Sequence, residues 1–504
     1  MRRSCALLII LVMLFLSCCA MADGLVMAGY EGSTNGRKWE NNLFFKRMEE
    51  KTGLVFTFRQ FSNADEYRAW VDGLTAGSNL PDVLFKASLS DAQARTLYEN
   101  GILIDLRPYL EQYMPNLWAH LREKPERLKA ISTDDGAVLT LPVIDPLQVN
   151  NVYWINETWL KQVGMAMPKT ADELTKVLRA FRDGDPNRNG QRDETPLTFS
   201  SMWDLRFLQH AFGVVTNDYY QYADDSGKVV CPLFTEENRA WLTWMHTLWE
   251  ERLLDHSGFS SGSSMRAITD SKATITYGVV CGPTPTQMIP NDALGSYAVL
   301  QPLAYGGKQT YRSLLGDISG GTFAITTHCA DPEAVLAWAD YLYTEEGYYL
   351  SHVGAAGIDY EVHDNGTWSW LYEQSQSSAA IHRDTVISDG SQAPGYVPVS
   401  AQRAFDDAAS QKMIDGLETF IGFTRQACPP VMLTAEEKAE LAAVWPSVSR
   451  WCEEHMTWFV TGDLALNDET WEAFVKGAEE LGMSKVTAVW QKAVDRYQQR
   501  EDAE

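Results

Sequence analysis

Residues 185–194 read Asp-Pro-Asn-Arg-Asn-Gly-Gln-Arg-Asp-Glu. Asp185, Asn187 and Asn189 set side-chain oxygens at alternate positions, Gly190 permits a sharp bend, and Asp193 and Glu194 close the run. A hard cation such as Ca²⁺ takes about six to eight oxygens at roughly 2.3–2.6 Å, drawn largely from alternate residues of a tight loop. Gln191 falls where such a loop supplies a backbone carbonyl. The twelfth EF-hand position would be Pro196, which has no side-chain oxygen, so the loop is not a complete EF-hand. Asp193 and Glu194 can supply the oxygens that Pro196 cannot. The competing reading is a polar turn without metal, because Asn, Asp and Gly dominate turns for backbone reasons alone.

A helix must deliver this loop. Thr170 is an N-cap with Glu173 three residues later, a capping-box spacing, and the helix it opens runs to about Phe181. A cation at 185–194 would tie the end of that helix to the following segment, which is a structural task. Upstream, strands are expected at 25–30, 54–58 and 81–85, with helices at 40–51 and 67–76 between them. This β-α-β-α-β order predicts a parallel sheet with crossover helices. Ligands of such sheets lie beyond the carboxyl ends of the strands, which puts Tyr30-Glu31-Gly32 and Lys86-Ala87-Ser88 on the ligand side. Further strands are expected at 139–142 and 152–155. Asp331 caps a helix begun by Pro332, and Thr434 with Glu437 opens another.

The first residues read as an export leader. Arg2 and Arg3 precede an unbroken apolar run, residues 6–16, and Ala20-Met21-Ala22 is a small-x-small cleavage signal. The run is shorter than the ~20 residues a helix needs to span a bilayer. Leu16-Ser17-Cys18-Cys19 offers a second reading, a lipid anchor at Cys18 or Cys19. The formal net charge of −25 disfavours nucleic acid and anionic membrane surfaces as partners. Five cysteines follow the leader (Cys231, Cys281, Cys329, Cys428 and Cys452), with no metal or redox spacing; Cys428 with Cys452 is the first candidate disulfide. A chain of 504 residues implies two domains. Its seventeen Trp serve the core in part and also suit flat apolar faces for sugar rings, two uses that composition alone does not separate.

In their order, these segments resemble the family-1 extracellular solute-binding proteins of bacterial ABC importers, in the branch with alginate- and oligosaccharide-binding members. The likeness runs from about Leu25 to Tyr497. It is carried by Gly77-Ser-Asn-Leu-Pro-Asp-Val83, Leu97-Tyr-Glu-Asn-Gly-Ile-Leu-Ile-Asp-Leu106, Ile155-Asn-Glu-Thr-Trp-Leu160, the 185–194 loop, Asp340-Tyr-Leu-Tyr-Thr-Glu-Glu-Gly347 and Phe459-Val-Thr-Gly462. The resemblance implies an α/β, two-lobed periplasmic-binding-protein-like fold, each lobe a sheet flanked by helices, with the ligand cleft between them. After a leader at 1–22, the first lobe would comprise 23–145 and 315–365, and the second 146–314 and 366–504. The resemblance also implies a monomeric receptor that closes on a solute, most simply an oligosaccharide, and delivers it to a permease. It implies a structural Ca²⁺ held by Asp185, Asn187, Asn189, Asp193 and Glu194 side chains and the Gln191 carbonyl. One departure stands out: relatives often carry an acid where this chain has Ala356, in Gly354-Ala-Ala-Gly357.

Candidate ligand residues are Glu31, Ser88, Trp203, Tyr277, Asp317 and Tyr360. Trp203 combines a stacking face with the charges of Asp204 and Arg206, though a core Trp is the simpler reading. Tyr277 closes a strand-like run before Gly278, and Asp317 sits in a glycine-rich crossing suited to a hinge. His352, Tyr360, Trp368 and Trp370 could line the cleft or simply pack together. Trp241, Trp244, Leu248 and Trp249 have helical spacing and read as a buried face. A peptide or other polar solute is the alternative ligand, and a sensor receptor the alternative partner. The rival class is a secreted glycosidase, which needs two carboxylates about 5–9 Å apart. Among sixty-seven acids such a pair carries no information, and no G-x-S-x-G or H-E-x-x-H motif occurs.

Overall fold

Alternation along the first strands decides which side chains meet. Met27, Val83 and Phe85 pack into one apolar cluster, while their chain neighbours Ala28 and Leu84 pack into another. A side-chain period of two sends neighbours to opposite faces, so apolar residues at consecutive positions call for a sheet buried on both sides. The computed structural model describes residues 24–32, 38–259, 275–313, 316–372, 384–388 and 391–501. The expected leader, with Cys18 and Cys19, lies outside the described residues.

The first sheet has six strands, in the order Gly395–Tyr396, Leu141–Ile144, Ile318–Ile325, Val83–Phe85, Leu25–Tyr30, Phe56–Phe61. Ile318–Ile325 is antiparallel to both neighbours and the other pairings are parallel. Helices Leu43–Thr52 and Pro332–Asp340 cover one face, and Ala64–Asp72 and Asp91–Glu99 the other. The first helix begins later than its spacing suggests, because Asn42 caps it through the Phe44 amide. The second begins earlier than expected: Asn63 accepts from the Asp65 and Glu66 amides and starts the helix at Ala64.

The second sheet has four strands, in the order Tyr297–Val299, Val152–Asn156, Tyr277–Gly282, Thr195–Leu197. Its core continues into the helices Glu236–Glu250, Ala435–Thr461 and Met483–Glu501. Trp241, Trp244 and Leu248 are buried as their spacing predicts, and Trp249 packs at the edge. Each sheet has its own core, so the molecule is two-lobed. Among the described residues the chain crosses between lobes three times: after Ile144, before Ile318, and between Tyr396 and the helix Ala408–Ile421, where Gly416 lies against Val299 of the second sheet. Gly395–Tyr396 pairs in parallel with Leu141–Ile144 in the first sheet, although the sequence reading assigned it to the second lobe. The five described cysteines are free thiols, so the expected Cys428–Cys452 disulfide is not formed. Among the described residues no helix is long and apolar enough to cross a membrane.

One close approach fixes the lobe-facing edge of the first sheet. The register of Ile318–Ile325 shifts between Ser319 and Phe323, and Gly321 adopts φ 78° within that bulge. Its carbonyl accepts from the Leu89 amide, and the Thr322 carbonyl accepts from Ala87. A Cβ at position 321 would land on the Leu89 carbonyl oxygen. Gly321→Ala therefore combines a positive φ with a backbone collision, and should destabilise the protein by at least about 1–3 kcal/mol. A fall in the thermal midpoint is the expected result; an unchanged midpoint would show that the bulge can relax.

Candidate functional site

Adjacent parallel strands end together, so the residues that follow them meet. Met27 pairs with Val83 and Ala28 with Leu84, which brings Glu31 and Lys86 to the same level. Their side chains form an ion pair in which Lys86 is fully buried and Glu31 nearly so. The Tyr30 ring stacks on Tyr67 at 6.0 Å, and the Tyr67 hydroxyl donates to the Ala87 carbonyl at 2.8 Å. Lys86 and Ser88 both adopt positive φ, 49° and 46°. Such strain persists only where surroundings over-determine it, and here Gly321, Thr322 and Tyr67 do so. Of the two expected ligand residues, Ser88 is exposed at this edge, whereas Glu31 is committed to Lys86.

Two interlobe cavities share no lining residue. The first, of about 370 Å³, is walled by rings. Trp368 and Trp370 come from the hairpin strand Trp368–Trp370, His352 from the helix Glu345–His352, and Phe405 from the third crossing. Trp368 is braced on every side: Trp370 at 5.2 Å and 89°, Phe405 at 4.6 Å, and its indole N–H donating to the Ala401 carbonyl at 2.9 Å. The second lobe contributes Thr284, just past the end of Tyr277–Gly282, and Ser410 and Met413 from the helix Ala408–Ile421. The Gln402 amide nitrogen reaches the cavity region buried and without a hydrogen-bond partner. No Asp, Glu, Lys or Arg lines this cavity among the described residues.

The second cavity, of about 410 Å³, is polar and lies against the crossings. Asp317 is its hub: its Oδ2 accepts from Lys124 Nζ at 2.7 Å and from Arg127 Nη2 at 2.7 Å and Nε at 3.2 Å. Burial works to raise its pKa, but Arg127 and Lys124 outweigh burial and hold the carboxyl below its usual range. Asp317 also accepts the Asp145 amide on its carbonyl. Gln148, Thr424 and Gln426 complete the wall.

The structure separates the other expected ligand residues from both cavities. Trp203 is half-buried, with its indole N–H on Asp218 Oδ1 at 3.0 Å and Phe207 edge-on at 4.9 Å. Tyr277 begins the buried strand Tyr277–Gly282 and, paired with Thr195, stands at the end remote from Thr284; residues 273 and 274 of the expected run lie outside the described residues. Tyr360 is buried behind the cavity wall, stacked on Tyr349 at 5.3 Å. Lys124, Arg127, Gln402 and Ser410 escape a reading of the sequence. Arg127 offers only a local signal, its spacing from Glu123, and that says nothing of Asp317.

The 185–194 loop follows the helix Ala171–Asp183, capped by Thr170 through the Glu173 amide. Glu173 itself accepts from Lys169, one residue before the cap. Asp185, Arg188 and Gly190 have positive φ, and Asp185 accepts from the Asn189 and Gly190 amides at 3.1 and 3.2 Å. The Asn187 and Asn189 amides donate to Asp193 at 3.0 and 2.9 Å. Glu194 Oε1 is buried with no partner, and burial, then Asp193 and Asp185, raises the Glu194 pKa. Among the described residues no three His, Cys, Asp or Glu side chains form a metal-ligating group. The donor chemistry suits a hard cation nonetheless, with carboxylates, amide oxygens and an orphaned Glu194 oxygen in one loop.

Residues 32–349 match the family model of the bacterial extracellular solute-binding proteins. The chain belongs to this family. The fructooligosaccharide ABC transporter substrate-binding protein FusA of Streptococcus pneumoniae is 26% identical over 489 residues, covering 90% of this chain and 87% of FusA. The structure of FusA in complex with kestose matches with a TM-score of 0.72 at 24% identity, over 95% of this chain and 100% of that one. An EF-hand mutant of FusA, in complex with fructo-nystose, matches with the same TM-score. A solute-binding protein from Bifidobacterium longum infantis, associated with an ABC transporter and binding HMO, matches at a TM-score of 0.78 and 20% identity, over 94% and 99% of the two chains. These likenesses establish the two-lobed fold of this solute-binding protein.

The crossing residue Asp145 carries a pH signature. Burial pushes its carboxyl up to about 6, against the Leu147 amide and with help from the Asp317 charge. Its folded pKa lies above the ordinary 3.8, so its stabilising contribution is complete below about pH 4 and is lost as pH rises through about 6. Asp145→Asn keeps a neutral group there at every pH. The thermal midpoint of the variant relative to the parent should therefore climb between about pH 4 and pH 7. A difference that stays constant over this range would place the titration elsewhere.

Proposed function

We propose that this solute-binding protein captures a neutral oligosaccharide between its lobes and delivers it to an ABC importer, without chemical turnover. The ring-walled interlobe cavity is the observation that carries this reading. Aromatic faces cover the apolar C–H faces of sugar rings, and Thr284, Gln402 and Ser410 offer neutral hydrogen-bonding groups for hydroxyls. The relative FusA, whose name gives it fructooligosaccharides, supports the same class. Ligand contact with both lobes favours the closed arrangement, so binding shifts an open–closed equilibrium.

Of the residues singled out from sequence, Ser88 and Asp317 act at the interlobe edge in this proposal. Glu31 acts through Lys86, while Trp203, Tyr277 and Tyr360 support the fold behind the contacts. The first lobe comprises residues 23–145 and 315–396, its second span longer than the sequence suggested, because Gly395–Tyr396 pairs in its sheet. The 185–194 loop holds a structural Ca²⁺ through Asp185, Asn187, Asn189, Asp193 and Glu194 side chains and the Gln191 carbonyl, a role supported by the EF-hand of FusA. The leader exports the chain, which acts as a monomer outside the membrane, either released or anchored through Cys18 or Cys19.

Calorimetry with neutral fructo-oligosaccharides should show binding, with the sugar recovered intact. Trp370→Ala should weaken that binding at least about tenfold, or ~1.4 kcal/mol. Product formation would overturn the receptor, and an unaffected affinity would move the site away from the ring-walled cavity. For the cation, chelator should lower the thermal midpoint of the parent protein and leave Asp185→Ala/Asp193→Ala unmoved, by linkage. Equal midpoints with calcium and with chelator would remove the metal.

A further inference from the structure

Two arginines are buried in the second lobe with more donors than partners. Arg206 opens the short helix Arg206–Phe212 and is 1% exposed; Arg312 is the middle residue of the strand Tyr311–Ser313 and is 3% exposed. Consecutive residues of one loop hold them side by side. Arg206 Nη2 donates to Thr216 Oγ1 at 3.2 Å and to the Asn217 carbonyl at 3.1 Å, and Arg312 Nη2 donates to Asp218 Oδ1 at 2.7 Å. An aromatic ring covers one face of each guanidinium, Tyr220 at 4.2 Å from Arg206 and Phe207 at 4.6 Å from Arg312. Edge-on donors remain. Arg206 Nε, Arg312 Nε and Arg312 Nη1 are buried without a hydrogen-bond partner.

The charges do not balance either. Asp218 is the one carboxylate bonded to either guanidinium among the described residues, and it is half exposed and shared with the Trp203 indole. Glu453 feels the Arg206 charge, but it is exposed and not hydrogen-bonded to it. Burial, and then the neighbouring Arg206, push the Arg312 guanidinium down to about 9. A buried charged donor without a partner is among the most unfavourable groups in a protein interior. Water can satisfy the N–H groups but leaves the excess positive charge, whereas a small anion satisfies both.

We propose that Arg206 and Arg312 form an internal binding site for a chloride-sized inorganic anion, which their unpartnered N–H groups hold inside the second lobe. The site is separate from the solute: neither arginine lines an interlobe cavity. It sits one residue from Ser313, which does line the cavity at the crossings. Its occupant therefore stabilises the wall behind Trp203 and the second crossing, and goes beyond the solute-binding role.

Thermal unfolding of the full chain without sugar should be compared in sodium chloride, bromide and gluconate at equal ionic strength. The expected result is a saturable rise of the midpoint in chloride and bromide that gluconate does not produce. Arg312→Met, which removes one cation and all three of its donor nitrogens, should abolish the halide dependence. Crystals grown in bromide should show an anomalous peak between the two guanidiniums. This readout needs no variant and is unaffected if Arg312→Met misfolds. Water alone at that position, or equal midpoints in chloride and gluconate, would overturn the site.

Discussion

Asp317 takes hydrogen bonds from Lys124 and Arg127 on its carboxylate and from the Asp145 amide on its carbonyl. Two of the three crossings between the lobes therefore meet at one residue, and both are moored to the helical layer of the first lobe through the same ion cluster. A hinge needs a few residues that absorb rotation beside others that do not move. Asp317 supplies the fixed point. Burial works against its charge, and Arg127 and Lys124 outweigh burial. The polar cavity beside it is a consequence: charges this well paired can face solvent between the lobes without unbalancing the cores on either side.

Buried charge is handled differently at three places, and the differences track what each place must do. Lys86 and Glu31 form an ion pair at the end of the sheet, where the strained Lys86–Ser88 turn must be held. Breaking one partner of such a pair is typically worth about 3–5 kcal/mol, because the survivor stays buried and uncompensated. Asp317 takes two cations, Lys124 and Arg127, which hold its carboxyl below the usual range. Of Arg206 and Arg312, only Arg312 is bonded to a carboxylate among the described residues, and both keep free donors. The first two arrangements are self-sufficient, and the third is not.

The turn around Ala356 is fixed by its neighbours. Asp359 turns back to accept the Ala355 amide at 2.7 Å and pairs with Arg47 at 2.7 Å. Gly354 adopts φ 116°, and a Cβ there would strike the Asp359 carboxylate. The carboxylate is thus spent on fixing the turn after the helix Glu345–His352, whose His352 faces the ring-walled cavity.

Local chemistry was legible before any coordinates. Caps at Thr170, Asp331 and Thr434, the Trp-rich helix face, the β-α-β-α-β opening and the 185–194 loop all depend on residues within a few positions of one another, so spacing encodes them. The errors in the first helices came from missing caps at Asn42 and Asn63, which were equally local. The candidate ligand residues were a different matter. Trp203 and Tyr277 line neither interlobe cavity, while Thr284, Gln402 and Ser410, which line one, carried no signal at all. The pairing of Asp317 with Arg127 joins residues 190 positions apart, and that of Arg206 with Arg312 depends on a loop that neither residue belongs to. What the sequence determined by itself was the elements, the loop and the family. Which side chains face the gap between the lobes, and which charges share one interior, only the tertiary structure decided, because such contacts follow from how two sheets and three crossings pack and leave no period in the chain.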